Sequence, residues 1–328
     1  MTRCSVVIPA LNHAALTDQC LDAIFASRPE TVSLEVIVVD DGSTDSTADV
    51  VAARGDDVRR IHHERSTGFA TACNDGAAAA GGEWLLFLNN DTIPQPGWLD
   101  ALVKYSSANE RVGLVGAKLL YPDDTIQHAG IVISQTLAPR HLYSGFPADH
   151  PAVNKSRQFQ IVTAACALMR TDTFRRLGGF DPAFVNGYED IDLCLRLRCD
   201  GLGVHYCHES VLYHLESATR DPHSSPGNFA LFLDRWRDVV YPDDLAYYAE
   251  DGLLQVTYRE HFPILLNVSP RLAVLARTRV TAAERVLAER SRQVYEARKE
   301  NARLRVELLE AQRPEITRRA NRPATRAR

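Results

Sequence analysis

No apolar run in this sequence approaches the ~18 residues that a membrane-spanning helix needs, and the N-terminus has neither the basic nor the apolar region of a secretory signal. Both absences point to a cytoplasmic chain. There is no excess of positive charge: 37 Lys and Arg stand against 42 Asp and Glu, a net charge of −5, so no overall field calls for nucleic acid. No CxxC pair occurs among the seven cysteines. An odd, scattered set, with Cys4, Cys166, Cys194 and Cys199 inside apolar runs, reads as small buried hydrophobes in a reducing compartment. Glycine is missing from Pro9-Ala10-Leu11-Asn12-His13-Ala14, which argues against a nucleotidyltransferase, whose triphosphate needs a glycine-rich loop with Lys or Arg after the first strand.

What is present is an ordinary globular composition, 45% apolar and 24% charged, arranged in alternation. Ser5-Val6-Val7-Ile8-Pro9 is a β-branched run ended by proline, hence a buried strand. Leu16, Cys20 and Ile24 then mark one face of a helix. Glu35 to Asp41 repeats the strand, Ser46 to Ala53 the helix, and Val58 to His62 a short strand. Residues 68–80 form an alanine-rich helix before a strand at Trp84 to Leu88. Such βαβ units predict an α/β, doubly wound, mainly parallel sheet with flanking helices. Ligands bind such sheets beyond the carboxyl ends of the strands. Asp40-Asp41 and Asn89-Asn90-Asp91 fall at two such ends.

Farther on, Glu189 to Cys199 reads as a helix, with Val204 to Cys207 and Val211 to His214 as two closing strands. Leu231, Trp236 and Tyr247 mark helices packed on that body. From 279 to 312 the residues Val280, Leu287, Val294, Asn301 and Leu308 recur every seven, with Ala283, Ala297, Leu304 and Ala311 three later and Arg290 alone spoiling the second series. This is either a coiled-coil seam joining copies of the chain, its Asn fixing register, or one long amphipathic helix folded back. Residues 313–328 carry six Arg and one Glu. That tail is either solvated disorder or a contact for an anionic membrane surface, peripheral at its inner face.

The motifs Ser5-Val6-Val7-Ile8-Pro9-Ala10-Leu11-Asn12, Val36-Ile37-Val38-Val39-Asp40-Asp41-Gly42-Ser43-Thr44-Asp45, Gly82-Glu83-Trp84-Leu85-Leu86-Phe87-Leu88-Asn89-Asn90-Asp91-Thr92 and Gly178-Gly179-Phe180-Asp181 with Tyr188-Glu189-Asp190-Ile191-Asp192 stand in one order over residues 4–215. Together they resemble family 2 glycosyltransferases with the GT-A fold. Ile126-Gln127-His128-Ala129-Gly130 with Thr163-Ala164-Ala165-Cys166 resembles the branch that builds bacterial surface polysaccharides, often rhamnosyltransferases. The organisation implied is a GT-A domain at 1–225, a helical segment at 226–270, a long helix or coiled coil at 271–312 and a basic tail at 313–328.

The resemblance implies inverting transfer of a sugar from a UDP- or dTDP-sugar to a hydroxyl of a glycan or lipid-linked acceptor, with Mn²⁺ or Mg²⁺. A divalent cation offsets the negative charge of a diphosphate leaving group, and the attacking hydroxyl needs a carboxylate base. By resemblance Asp91 and His214 hold the metal, Asp190 is the base and Glu189 meets the acceptor. Asp40 and Asp41 reach the nucleotide base, with Pro9 and Asn12 lining its pocket and Asn90 on ribose or phosphate. Each also has a structural reading. Asp40 and Asp41 suit a turn that caps a helix. Asn89-Asn90-Asp91-Thr92 suits a turn before Pro94, first-turn acids suit the helix dipole, and a lone histidine is usually structural. Arg196 and Arg198 suit either helix-surface salt bridges or phosphate. A second reading keeps the fold but makes the chain an inactive scaffold working through its coiled coil.

Overall fold

The computed structural model describes residues 2–215, 227–257, 265–270 and 304. The chain divides into a unit of Met1–Thr278 and a second of Arg279–Arg328. The seam and the basic tail, Leu304 apart, lie outside the described residues.

The first unit begins with β1 (Thr2–Ala10), α1 (Ala14–Ala26), β2 (Val32–Asp40), α2 (Thr47–Ala52), β3 (Val58–His62), α3 (Phe69–Ala79) and β4 (Trp84–Leu88). After β5 (Thr92–Pro94), α4 (Trp98–Ser107) and β6 (Val112–Leu120) come the short strands β7 (Ile126–His128), β8 (Ile131–Ile133), β9 (Pro139–His141) and β10 (Arg157–Phe159). β11 (Cys166–Arg170), α5 (Thr171–Arg176), α6 (Glu189–Cys199) and β12 (Gly203–His214) follow. The unit continues with α7 (Gly227–Trp236), α8 (Asp244–Glu250), β13 (Leu254–Thr257) and β14 (Leu265–Val268).

The main sheet runs β10-β12-β6-β11-β4-β1-β2-β3, with β5 against β12 and β7 against β6. It is parallel where helices make the crossovers, at β1–β2, β1–β4, β2–β3 and β6–β12. It is mixed overall, because β11 enters antiparallel between β4 and β6. No α-helix lies between β6 and β11, so nothing there returns the chain for a parallel strand.

Period-2 alternation places Val6 and Ile8 of β1 with Cys20, Leu21 and Ile24 of α1 and Trp98, Leu99 and Leu102 of α4. Val7 and Phe87 face the other way, onto Ala72, Cys73 and Ala77 of α3 and Leu193 of α6. With both faces covered, the strands read as unbroken apolar runs, and each fully buried Leu, Ile or Phe contributes about 1.5–3 kcal/mol. α3 rides close to the sheet at Gly76, where a Cβ would meet Val7 Cγ1 at 2.4 Å.

Three local expectations change. The two closing strands are one, β12, with a register shift between Cys207 and Val211. His208 occupies that irregularity, its backbone N–H on Ser156 Oγ at 3.1 Å. The stretch at 226–270, expected to be helical, contains among its described residues two short helices on either side of Pro242 and then the antiparallel pair β13–β14. Gly252, with φ 70°, ends the helical part, and Leu254-Gln255-Val256-Thr257 alternates as a strand does. All seven cysteines are free and six are buried, but Cys199 is exposed, at the last turn of α6. Among the described residues no helix is long and apolar enough to cross a membrane.

Candidate active site

Three groups of polar side chains gather at the carboxyl ends of β1–β4 and β12 and at the start of α6. The first joins the loops after β1, β2 and β3. Asn12 stands in the left-handed region, φ 58°, a conformation that Asn tolerates through local hydrogen bonds. Its backbone N–H donates to Ser43 Oγ at 2.8 Å, and its Oδ1 accepts from Thr44 N at 2.8 Å. Asp45 receives Ala14 N at 2.9 Å and Thr47 N at 3.0 Å, tying α1 to α2. Pro9 is half-buried beside Val39 in register.

Asp40 and Asp41 diverge. The buried Asp40 accepts from Ser43 N at 3.0 Å and from the Arg60 guanidinium. Burial disfavours its charge, but the bonds from Ser43 and Arg60 outweigh it and hold the carboxyl below the usual range. Asp41 is wrapped by residues 63–68. His63 Nδ1 donates at 2.7 Å, Ser66 Oγ at 2.8 Å, Thr67 N at 2.9 Å and Gly68 N at 3.0 Å. These too outweigh burial, and the Asp41 carboxyl is depressed. Gly42, with φ 84°, makes the wrap feasible, since a Cβ there would lie 2.6 Å from the Arg65 carbonyl carbon. Ser66 therefore acts on Asp41.

The second group lies past β4. Asn90 turns its amide to Thr17 Oγ1 on α1 at 2.9 Å, buried. Asn89 instead meets the other side, its Nδ2 3.2 Å from His214 Nε2. Asp91 Oδ1 is 3.1 Å from the same nitrogen, and both side chains are buried. Residues 90 and 91 form the turn between β4 and β5, and that turn leaves Asn89 and Asp91 on the His214 side and Asn90 on the α1 side. The buried Gln127 of β7 grips His214 twice, through His214 Nδ1 at 2.5 Å and the His214 carbonyl at 3.2 Å. Sequence reasoning had Gln127 inside a motif but gave it no task; a polar residue inside a short buried strand was the available signal. His128 is completely buried against His141, their Nδ1 atoms 2.9 Å apart. It has no surface to offer a ligand.

The third group is the start of α6. Asn186, Gly187 and Tyr188 carry φ of 52°, 147° and 75°, a tight turn that delivers Glu189 and Asp190 to the helix N-terminus. Glu189 is buried and takes Gly187 N at 2.6 Å. Asp190 is half-exposed and takes Ala164 N at 3.1 Å and Ile191 N at 2.8 Å. Asp192 is structural, paired with Arg196 Nε at 2.7 Å and Trp236 Nε1 at 3.0 Å. Arg196 also donates to the carbonyls of Leu177 and Gly179, and Arg198 to Gln160. Both arginines serve the fold.

The groups are joined through backbone. Ala164 holds Asp190, and the next carbonyl, Ala165 O, accepts Asn89 N at 3.0 Å. Asn186 Oδ1 accepts Phe69 N at 3.3 Å, linking the α6 turn to the end of the 63–68 loop. The result is one rim with the cross-braced loops of β1–β3 at one end, a carboxylate–imidazole pair at its middle and a half-exposed carboxylate beyond. The profile of the family described as "Glycosyl transferase family 2" matches residues 5–178. The chain belongs to that family.

Among relatives of this family 2 glycosyltransferase, the O-antigen biosynthesis protein RfbC of Myxococcus xanthus is 32% identical over 74% of this chain and 20% of its own length. The N-acetylglucosaminyl-diphospho-decaprenol L-rhamnosyltransferase of Mycobacterium tuberculosis is 28% identical over 58% of this chain and 70% of its own length. The chain thus spans about a fifth of the first relative. The solved structure of GalNAc-T7 with UDP, GalNAc and Mn²⁺ superimposes with a TM-score of 0.59 at 16% identity, covering 76% of this chain and 55% of that one. That likeness places the sheet and its flanking helices in the GT-A fold.

Proposed function

We propose that this chain transfers a sugar from a nucleotide-diphosphate donor to a hydroxyl of a glycan or lipid-linked glycan, with inversion at the anomeric carbon. The observation that carries this reading is the pairing of buried Asp91 and His214 with a half-exposed Asp190, all on one rim. The names of the relatives support it at the level of surface-polysaccharide glycosyl transfer.

The donor set fits a divalent cation. Among the described residues no group of three or more His, Cys, Asp or Glu surrounds a common point, and Asp91 with His214 offers two ligands 3.1 Å apart. Mg²⁺ and Mn²⁺ are commonly held this way, by one or two protein ligands with substrate phosphates completing the shell. A bound cation would offset the charge that develops on the diphosphate as it leaves.

The rest is done by side chains. Asn12, Ser43, Thr44 and Asp45 fix the mouths of the β1 and β2 loops, so the bay for base and ribose is preformed. Asp40 and Asp41 shape its walls, Asp41 by holding residues 63–68 in place. Asp190 accepts the proton of the attacking hydroxyl, and its bond to Ala164 N aims the carboxylate across the rim. Glu189, fixed by Gly187 N, orders the turn over which the acceptor sits. Inversion follows from a base and a leaving group on opposite faces of the sugar carbon.

The test is a panel of UDP-, dTDP- and GDP-sugars with Mn²⁺ or Mg²⁺, read for binding and turnover. Metal-dependent binding of one donor, lost in Asp91→Ala, supports the reading. Absence of binding by any sugar nucleotide under either metal sinks it.

A further inference from the structure

We infer that Gln127 is a positioning residue that fixes the tautomer of His214 and so leaves its Nε2 lone pair available to a cation shared with Asp91. The inference rests on the metal reading of Asp91 and His214 for its consequence, but not for its geometry.

The argument runs through donor and acceptor chemistry alone. The His214 backbone carbonyl can only accept a hydrogen bond, so the end of the Gln127 amide facing it at 3.2 Å is the NH₂ group. The other end is therefore Oε1, an acceptor, and it stands 2.5 Å from His214 Nδ1. Nδ1 must then carry the proton. In a neutral ring that leaves Nε2 bare, and Nε2 is the nitrogen 3.1 Å from Asp91 Oδ1. Asn89 agrees independently: the nitrogen of its amide can only donate, and it lies 3.2 Å from Nε2. Two braces thus select one tautomer and one ring orientation. The side chain of Gln127 is 2% exposed, so water does not compete for either bond.

The rest of the surroundings hold the brace in place. β7 pairs with the end of β6, Leu120 opposite Ile126 and Leu119 opposite His128. β12 reaches its end along β6 and β5, Tyr213 opposite Leu120 and His214 opposite Thr92. Gln127 and His214 are carried by strands that share β6 as neighbour, so the grip is set by sheet register. An outer partner that orients a ligating imidazole in this way typically governs metal affinity by about 10- to 100-fold.

The experiment uses the full chain with ¹⁵N-labelled histidine, metal-free, at a pH where the imidazole is neutral, with His214→Ala assigning the signal. Wild type is expected to show His214 as the Nδ1–H tautomer. Gln127→Leu is expected to lose that single tautomer and to bind Mn²⁺ about 10- to 100-fold more weakly by the free-ion electron paramagnetic resonance signal. Gln127→Glu keeps the acceptor and is expected to retain the tautomer and bind Mn²⁺ more tightly than Gln127→Leu, an effect that damage to the fold would not produce. A wild-type Nε2–H tautomer, or a Gln127→Leu protein that keeps the Nδ1–H form, overturns the inference. Failure of the wild type to bind Mn²⁺ sinks the metal reading instead, while the metal-free spectra still decide the role of Gln127.

Discussion

Asp41 takes hydrogen bonds from His63, Ser66, Thr67 and Gly68, whereas Asp190 takes one from Ala164 and one from Ile191 and stays half-exposed. An ionised carboxylate offers about four lone-pair sites. In Asp41 they are filled by the protein, and the carboxylate ties down residues 63–68. In Asp190 some remain open toward the rim, so it can take a proton from a substrate. The same contrast runs through the site: the β1–β3 end is cross-braced before any ligand arrives, while the α6 end holds its carboxylate on a turn of left-handed residues. A filled acid and an open acid look alike in sequence and differ only in what folds around them.

The largest effect should come from the open acid. Asp190→Asn is expected to lower turnover by about 10²–10⁴-fold, the usual contribution of a general base, with donor affinity unchanged. A variant that turns over normally would break the contrast at its strong end. Asp192, two residues along the same helix, sharpens it. Its side chain is buried and accepts from Arg196 and Trp236, so Asp192→Ala should cost about 1–3 kcal/mol by removing the acceptor of the Trp236 indole N–H and of one edge of the half-buried Arg196 guanidinium. Urea unfolding reads that loss, and the turnover of the folded fraction should stay near wild type. If turnover fell as far as in Asp190→Asn, the division of labour along α6 would be wrong.

How much of this was legible beforehand follows from the kind of signal. Buried strands announce themselves by unbroken apolar runs, so β1, β2 and β4 and the acids at their ends were readable. α6 was readable from Glu189 to Cys199 because its apolar face and the Asp200-Gly201 stop lie within one segment. The antiparallel entry of β11 was not, since Cys166-Ala167-Leu168-Met169 carries no sign of direction. Nor was the state of each acid. Asp41 is filled by residues more than twenty positions away, and Asn89 rather than Asn90 faces His214 because of how one strand ends. Gln127 reaches His214 across 87 positions. Such pairings exist only after the sheet has set its register.

At the filled end the effects should be smaller and should appear in stability. Asp41→Asn keeps the shape but weakens charge-assisted bonds from residues 63–68, for a loss of about 1–3 kcal/mol. The sign with pH follows from the depressed carboxyl of Asp41, where bonds from His63, Thr67 and Ser66 outweigh burial. A group depressed in the folded state contributes stability above its unfolded pKa, near ~3.9 for Asp, and loses it as pH falls through the folded value. Wild type should therefore destabilise on acidification below about pH 4, and Asp41→Asn should show a flatter slope there. Equal slopes would mean that Asp41 is not filled in solution as its hydrogen bonds describe.

The smallest effect separates side chain from backbone at Asn12. Its Oδ1 holds Thr44 N, and its φ is 58°, so a substitution removes a hydrogen bond, a tolerance for the left-handed region, or both. Asn12→Gly removes the bond but accepts the backbone at no steric cost, for a loss of about 1 kcal/mol. Asn12→Ala removes both: the left-handed conformation costs about 1–2 kcal/mol for a residue with a Cβ, partly matched by the ~0.5–1 kcal/mol of chain entropy that glycine gives up on folding. Alanine should then be the worse of the two by roughly 0.5 kcal/mol, read from paired thermal or urea melts. Donor binding should weaken in both, because either variant releases the Thr44 end of the β2 loop. If glycine proves the more damaging, chain entropy rather than local strain governs this corner, and the cross-brace owes its order to the Ser43 bond to Asn12 N, which both variants retain.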